Sequence, residues 1–313
     1  MDAARTRPRV SVVIVVKDGR AHLGDQLRAL DAQENAPAFE VVVADNGSRD
    51  GTPALVRDWI LAGHGAAVNA RLVDAGRRAG IPYARNEGAC ATRGEVIAFC
   101  DADDVVAPGW VAAMSRALAS PGLAGGRRDA FEEDGTPRPD ASAHGLTSTA
   151  YLPFAATCNL AVTRDCFFAV GGFDESLPPY GFEDVDFCWR AQLAGHPLRY
   201  APDAVIRFTV SGKVRAVRKE FLLAKARMAI VHRHPQFDPT PYSLRYCLAD
   251  LARSLVRLPG HLRRPRVSRT REVRWVVDAV GRLAGYWHYS VRGRDARSVL
   301  LEGDPLGLGN IDR

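Results

Sequence analysis

The run Val10-Ser11-Val12-Val13-Ile14-Val15-Val16 constrains the fold more than any other stretch of this chain. It is almost wholly β-branched and has no polar alternate face. Such a run reads as a strand covered on both faces, the environment of a parallel sheet. The next hundred residues keep the theme. Residues 21–33 place Leu23, Leu27 and Leu30 on one helical face. Glu40–Ala44 reads as a second strand, closed by the turn cluster Asp45-Asn46-Gly47-Ser48, and a helix from Thr52 to Leu61 has Pro53 near its start. Ala70–Val73 reads as a third strand, Pro82–Thr92 as a helix and Glu95–Cys100 as a fourth strand. Strands separated by helices imply crossover connections and a mostly parallel sheet flanked by helices. Ligands of such sheets bind beyond the carboxyl ends of the strands.

From Gly122 to Pro153 the pattern weakens to short strands and a long loop. A strand over Cys158–Val162, a helix over Glu183–Ala194 and extended segments at Leu198–Tyr200 and Ala204–Phe208 follow. Beyond residue 213 the chain reads as helical. Leu244, Leu248, Leu251, Leu255 and Leu258 share one face, and Val273, Val276, Val277, Val280, Leu283, Ala284 and Trp287 share another. The expected organisation is a catalytic domain over 1–212, a basic helical extension over 213–302 and a flexible tail over 303–313.

Charge divides along the same line. Residues 1–203 hold 20 Lys and Arg against 27 Asp and Glu, whereas 204–300 hold 21 against 6. The extension is therefore expected to meet something anionic. Three readings stand: a peripheral membrane surface, an oligomer interface, or a helical cap with solvated arginines. Five arginines lie between the stripes, Arg263, Arg264, Arg266, Arg269 and Arg271. They lack interleaved aromatics, so nucleic acid is not the expected partner. The six cysteines form no C-x-x-C pair, which suits a reducing compartment. No apolar run is long enough to span a bilayer, so the expected location is the cytoplasm, at most peripheral at the inner face of the membrane.

The chemistry concentrates at Asp101-Ala102-Asp103-Asp104, directly after the apolar strand Val96–Cys100. Carboxylates two apart on extended chain point the same way. Like charges packed at a strand end repel one another and call for a hard cation, Mg2+ or Mn2+, which is commonly shared with substrate phosphates. The competing reading is a solvated acidic turn before the helix near Pro108.

Order and spacing tilt the choice. The first strand is followed by Asp45-Asn46-Gly47-Ser48-Arg49-Asp50-Gly51-Thr52, then Ala84-Arg85-Asn86-Glu87-Gly88, Gly94-Glu95 and the acidic cluster; later come Gly171-Gly172-Phe173-Asp174-Glu175 and Glu183-Asp184-Val185-Asp186-Phe187. As an ordered set over residues 9–210 this resembles the family 2 glycosyltransferases, inverting enzymes with the GT-A fold. The resemblance implies that Asp45 accepts the base N–H of a nucleotide, typically uracil, against a loop cap as the bland role. Arg85 and Asn86 resemble the family's Arg-Asn pair lining the nucleotide pocket, against a surface salt bridge for Arg85. Asp101 would contact the ribose or the metal, Asp103 would ligate the metal bridging the two phosphates, and Asp104 would support the loop. Asp184 resembles the general base, against helix capping by Glu183 and Asp184 together. An ionised carboxylate is favoured at a helix N-terminus and can take a proton from an acceptor hydroxyl. Asp186 and Arg190 read as a helical ion pair, and Phe187 and Trp189 as core or acceptor-facing.

Two departures bear on this resemblance. Many family members carry a metal-completing histidine after the last core strand. Here Ile206-Arg207-Phe208 stands in that place, with Arg207, Lys213 and Arg215 as cations able to meet the diphosphate. Val16-Lys17-Asp18-Gly19 replaces a Thr-Tyr-Asn-like segment, which leaves the nucleotide open. The implied function is transfer of a sugar from a nucleotide-diphosphate sugar, UDP-linked by the family pattern, to a hydroxyl acceptor such as a lipid-linked or cell-surface glycan. The alternative is a catalytically silent nucleotide-sugar-binding or scaffold protein on the same fold. A nucleotidyltransferase would want a glycine-rich phosphate loop near the N-terminus, and a Rossmann dehydrogenase a G-x-G-x-x-G after the first strand; the sequence has neither.

Overall fold

Seven buried or nearly buried residues, Val10–Val16, form β1 at the centre of an eight-stranded sheet in the computed structural model of the chain. The structure describes residues 7–178, 181–210, 213–238, 242–262, 266–292 and 297–308; the side chains of 213–216, 259–262 and 266–273 lie outside that description. Then come α1 (Leu23–Asp31), β2 (Phe39–Asp45), α2 (Thr52–Ala62), β3 (Asn69–Asp74), α3 (Ile81–Cys90) and β4 (Val96–Asp101). β1 pairs in parallel with β2 and β4, and β2 with β3, as the alternating pattern implies. Val15 aligns with Asp101 and Val16 with Asp45, so three strands end at one edge.

The second half is mixed. β5 (Val105–Val106), α4 (Trp110–Ala117), β6 (Leu123–Phe131), β7 (Asn159–Thr163), α5 (Arg164–Ala169), α6 (Glu183–Leu193) and β8 (Leu198–Thr209) complete the order β3-β2-β1-β4-β7-β6-β8-β5. β7 runs antiparallel to both β4 and β6, while β6 and β8 are parallel. β6 was not expected as a nine-residue strand, because Gly125-Gly126 weakens the strand pattern. The glycines have a packing reason: a Cβ at Gly126 would collide with the Ala204 carbonyl and the Asn159 amide. β8 joins the two expected extended segments across a register shift opposite Gly126/Arg127.

Strand alternation sends side chains to two cores. Val10, Val12, Ile14 and Val16 pack with Leu23, Leu27 and Leu30 of α1 and with Trp110. Val13, Val42, Ile97 and Phe99 pack with Phe167, Phe173 and Phe187. In this second core the Phe99 and Phe173 rings meet edge to face at 5.3 Å.

The chain separates into two units: Met1–Asp174, Asp184–Val210 and Leu300–Arg313 form one, and Glu175–Glu183 with Ser211–Val299 form the other. The second is built on α7 (Lys213–Arg233), α8 (Leu244–Leu262) and α9 (Arg266–Tyr286). Arg282 of α9 reaches Asp278 at 2.7 Å and Asp250 of α8 at 2.6 Å, and Arg274 reaches Glu220 of α7 at 3.0 Å. Of the five-arginine run, residues 263–265 and the side chains of 266–273 lie outside the described residues.

Residues 303–308, expected within a free tail, include a tethered carboxylate in the first unit. Asp304 accepts two bonds from Arg164 at 2.6 and 2.7 Å and the amides of Leu306 and Leu308 at 3.0 Å each. The adjoining Leu301 amide donates to the Gly171 carbonyl at 2.9 Å.

Candidate active site

Asp45 and Asp101 close β2 and β4 at the edge where β1 also ends. The Asp45 carboxylate is 7% exposed. Its Oδ2 accepts the Ser48 amide at 3.1 Å, but its buried Oδ1 has no hydrogen-bond partner among the described residues. One oxygen thus caps the loop, and the other is a buried acceptor left over. The surrounding loop is knitted to the turn after β1. The Asp18 amide donates to Ser48 Oγ at 2.8 Å, the Arg49 amide to Asp18 Oδ1 at 2.7 Å and the Arg20 amide to Asp50 Oδ2 at 2.9 Å. Asn46 holds the next loop through the Ala75 and Arg78 carbonyls at 2.6 and 2.8 Å.

The acidic cluster lies at the end of β4. Arg85 of α3, 5% exposed, reaches Asp101 Oδ1 at 3.1 Å and lies over the Phe173 ring, 5.6 Å from its centroid. It is buried, and so is not a surface salt bridge. Gln26 of α1 braces the turn, donating to the Asp101 carbonyl at 3.3 Å and accepting the Val106 amide at 3.0 Å. Asp103 is exposed, whereas Asp104 is buried. Asp104 Oδ1 accepts the Thr209 amide of β8 at 3.2 Å, and its Oδ2 is buried with no hydrogen-bond partner among the described residues. Burial pushes the Asp104 carboxyl well above the usual carboxylate range; repulsion from Asp101 and then Asp103 adds to this, and the Thr209 amide and Arg128 oppose it.

Donor atoms of Asp101, Asp104 and Cys158 all lie within 4.8 Å of one another. The sequence pairs Asp101 with Asp103, yet the structure gathers Asp101 with Asp104 and a thiol. Burial raises the Cys158 thiol well above its usual value, with Asp104 and Asp101 next in effect. A buried, unsatisfied carboxylate oxygen beside two further acids is a donor set that fits a hard divalent cation.

Asn86 is placed differently from the expected pocket lining. It is 1% exposed; its Nδ2 donates to the Phe173 carbonyl at 2.8 Å and its Oδ1 accepts the Phe173 amide at 2.9 Å. Its amide therefore fixes Phe173, the ring beneath Arg85. Gly171 and Gly172, at φ 76° and 63°, turn the chain into Phe173, and their Cα atoms are closely covered by Leu300 and Leu301.

α6 begins at Glu183 after Phe182, which holds φ 67°, a costly conformation for a bulky residue and one that marks sites under constraint. Glu183 is buried and accepts the Gly181 amide at 2.9 Å. Asp184 is half-buried, and its Oδ1 accepts the Val185 amide at 2.9 Å, a capping contact. Its charge also adds to the rise of the Cys158 and Cys188 thiols. Phe187 and Trp189 are fully buried core, and Arg190 pairs with Asp186 at 2.7 Å.

Sequence reasoning missed Arg128, Gln26 and Cys158. Arg128 is a cation of β6 whose field reaches both Asp104 and Cys158. The weak β6 pattern hid it. The expected substitute Arg207 instead stacks on Phe131, 4.5 Å from the ring centroid. The side chains of Lys213 and Arg215 lie outside the described residues.

Comparison with known proteins bears on the family and the fold. Residues 11–174 match the family model for glycosyl transferase family 2. A pre-mycofactocin glycosyltransferase of Mycobacterium tuberculosis is 30% identical over 263 residues, 75% of this chain and 52% of its own. Glycosyltransferase AglE of Haloferax volcanii is 28% identical over 233 residues, 72% of this chain and 75% of its own. An uncharacterized protein y4gI of Sinorhizobium fredii is 25% identical over 62% of this chain, which spans only 24% of its length. The chain thus spans about half or less of two of these relatives. Among solved structures, the mannosyltransferase PcManGT of Pyrobaculum calidifontis, in complex with GDP-Man and Mn2+, superposes with a TM-score of 0.61 at 21% identity, over 89% of this chain and 88% of its own. Residues 1–349 of S. aureus TarS in complex with UDP superpose with a TM-score of 0.51 at 16% identity, over 95% and 97%. The architecture is that of the GT-A glycosyltransferases.

Proposed function

The chain belongs to glycosyl transferase family 2, and on that footing we propose that it moves a sugar from a UDP-linked donor to a hydroxyl acceptor with inversion at the anomeric carbon. The observation that carries this reading is the buried Asp45 Oδ1, an acceptor with no donor among the described residues, at the end of a parallel strand. A base N–H would satisfy it, as a nucleotide's uracil supplies. A donor nucleotide is further supported by the GDP-Man and UDP bound in the structural neighbours.

Asp101 and Asp103 would hold a divalent cation, with Asp104 behind them. Bound there, a cation would neutralise charge growing on the leaving diphosphate. The chain's own residues supply the rest. Arg85 fixes the Asp101 carboxylate, Asn86 fixes Phe173 and hence Arg85, and Arg128 adds positive field. Asp184 takes the proton from the acceptor hydroxyl as its oxygen attacks the anomeric carbon opposite the leaving group. The arginine-rich extension points to lipid-linked or cell-surface glycans as the acceptor class. A silent binding protein is the weaker reading, because the chain keeps the acids at both Asp101–Asp104 and Asp184.

Two expected outcomes test the site. Asp45→Leu removes the acceptor and should weaken UDP binding by on the order of tenfold or more, the loss of one buried hydrogen bond to a charged group of about 1.5–3 kcal/mol. Titration calorimetry reads it, and unchanged affinity would return Asp45 to a loop cap. Asp103→Ala should remove Mn2+-dependent stabilisation by a UDP-sugar while leaving the apo melting temperature intact. Undiminished Mn2+ dependence would assign the cation to Asp101, Asp104 and Cys158 instead.

A further inference from the structure

Part of the apolar stripe of α8 is open to solvent. Leu244, Leu248, Leu255 and Val256 are 43%, 47%, 49% and 79% exposed. At helical spacing they share one arc with Ala249 and Ala252, and Arg245, Arg253 and Arg257, all exposed, lie within and beside it. The opposite side carries buried Cys247 and half-buried Leu251, Ser254 and Leu258. Over residues 244–258 the one acid is Asp250; it is half-buried and bonded to Arg282 at 2.6 Å, with Arg253 reaching back to it at 3.6 Å. The exposed arc thus combines four large apolar side chains with three arginines and no carboxylate.

We propose that this face of α8 docks on an anionic lipid surface, with the leucines entering the acyl boundary and the arginines meeting lipid phosphates. Charge and shape select this occupant. A second copy of the chain, paired through the same face, would bring arginine against arginine with no acid between them. A nucleic acid would satisfy the arginines but leave the leucines in water. A lipid interface takes both, as amphipathic helices rich in Arg and Leu do when they lie in the plane of the membrane. No described helix is long and apolar enough to cross a bilayer, so the association is lateral. The inference stands on the second unit alone and does not depend on the transferase reading.

The test is co-sedimentation of the full chain with phosphatidylcholine vesicles, with and without phosphatidylserine. Binding should require phosphatidylserine and weaken with added salt. Changing Arg245, Arg253 and Arg257 together to Gln should lower the partition coefficient by on the order of a hundredfold, about fivefold per arginine. Leu248→Ser with Leu255→Ser should lower it similarly at unchanged salt dependence. These side chains are exposed, so circular-dichroism melting should remain near wild type. Equal binding to both vesicle types, binding to neither, or full binding by both variants would overturn the proposal. So would a dimer in sedimentation velocity that the leucine substitutions dissociate.

Discussion

Asp184→Asn lowers turnover by roughly 10²–10⁴-fold while donor affinity stays within a few-fold of wild type. The substitution keeps the shape and the Val185 capping contact at 2.9 Å but removes the charge that accepts a proton. A residue that only capped α6 would give a different result, since Asn caps about as well as Asp. Release of UDP from a UDP-sugar in the presence of acceptor is the readout. A kcat within a few-fold of wild type would make Asp184 a cap and place the base elsewhere.

Asp304→Ala costs about 3–5 kcal/mol of stability, because it leaves the Arg164 guanidinium buried and short of its carboxylate. Arg164 is 1% exposed; without Asp304 its side chain keeps, among the described residues, hydrogen bonds to the Thr92 carbonyl and hydroxyl at 2.8 and 2.9 Å and the Phe168 ring 4.8 Å away. The melting temperature should fall by on the order of 10 °C. Arg164→Met combined with Asp304→Leu should recover most of the loss, since replacing both members of a buried pair is often close to neutral. A double variant as unstable as the single one would contradict this account. The pH dependence has a definite sign. Burial raises the Asp304 carboxyl, but Arg164 and the Leu306 and Leu308 amides together hold it below the ordinary range. Its contribution is therefore fully present at neutral pH and is lost as pH falls through and below the usual carboxylate pKa.

The first half of the sheet was legible because β1, β2 and β4 are nearly pure apolar runs, β2 and β4 closing on an aspartate. Asp45 and Asp101 stood out as candidates because each closes a strand of that half, and Asp184 because it lies in the first turn of α6. What stayed hidden depends on contacts distant in sequence. β6 looks unlike a strand until the approach of Ala204 and Asn159 explains Gly126. Arg128, inside that strand, therefore carried no signal. Asn86 could be placed near the site but not oriented, since only the fold shows its amide turned to Phe173, 87 positions away. Asp304 is one acid in a glycine-rich tail until Arg164, 140 positions back, is seen beside it. The stripe on α8 was visible as a period, but periodicity does not say whether a face is covered.

The most direct test of the central claim is a thermal-shift titration of the wild-type chain with UDP-, GDP- and dTDP-sugars, each with and without Mn2+. The account predicts that a UDP-sugar raises the melting temperature, that Mn2+ enlarges the rise, and that Asp45→Leu diminishes it at every donor concentration. Stabilisation by none of the three sugars, or an equal rise in wild type and Asp45→Leu, would contradict it.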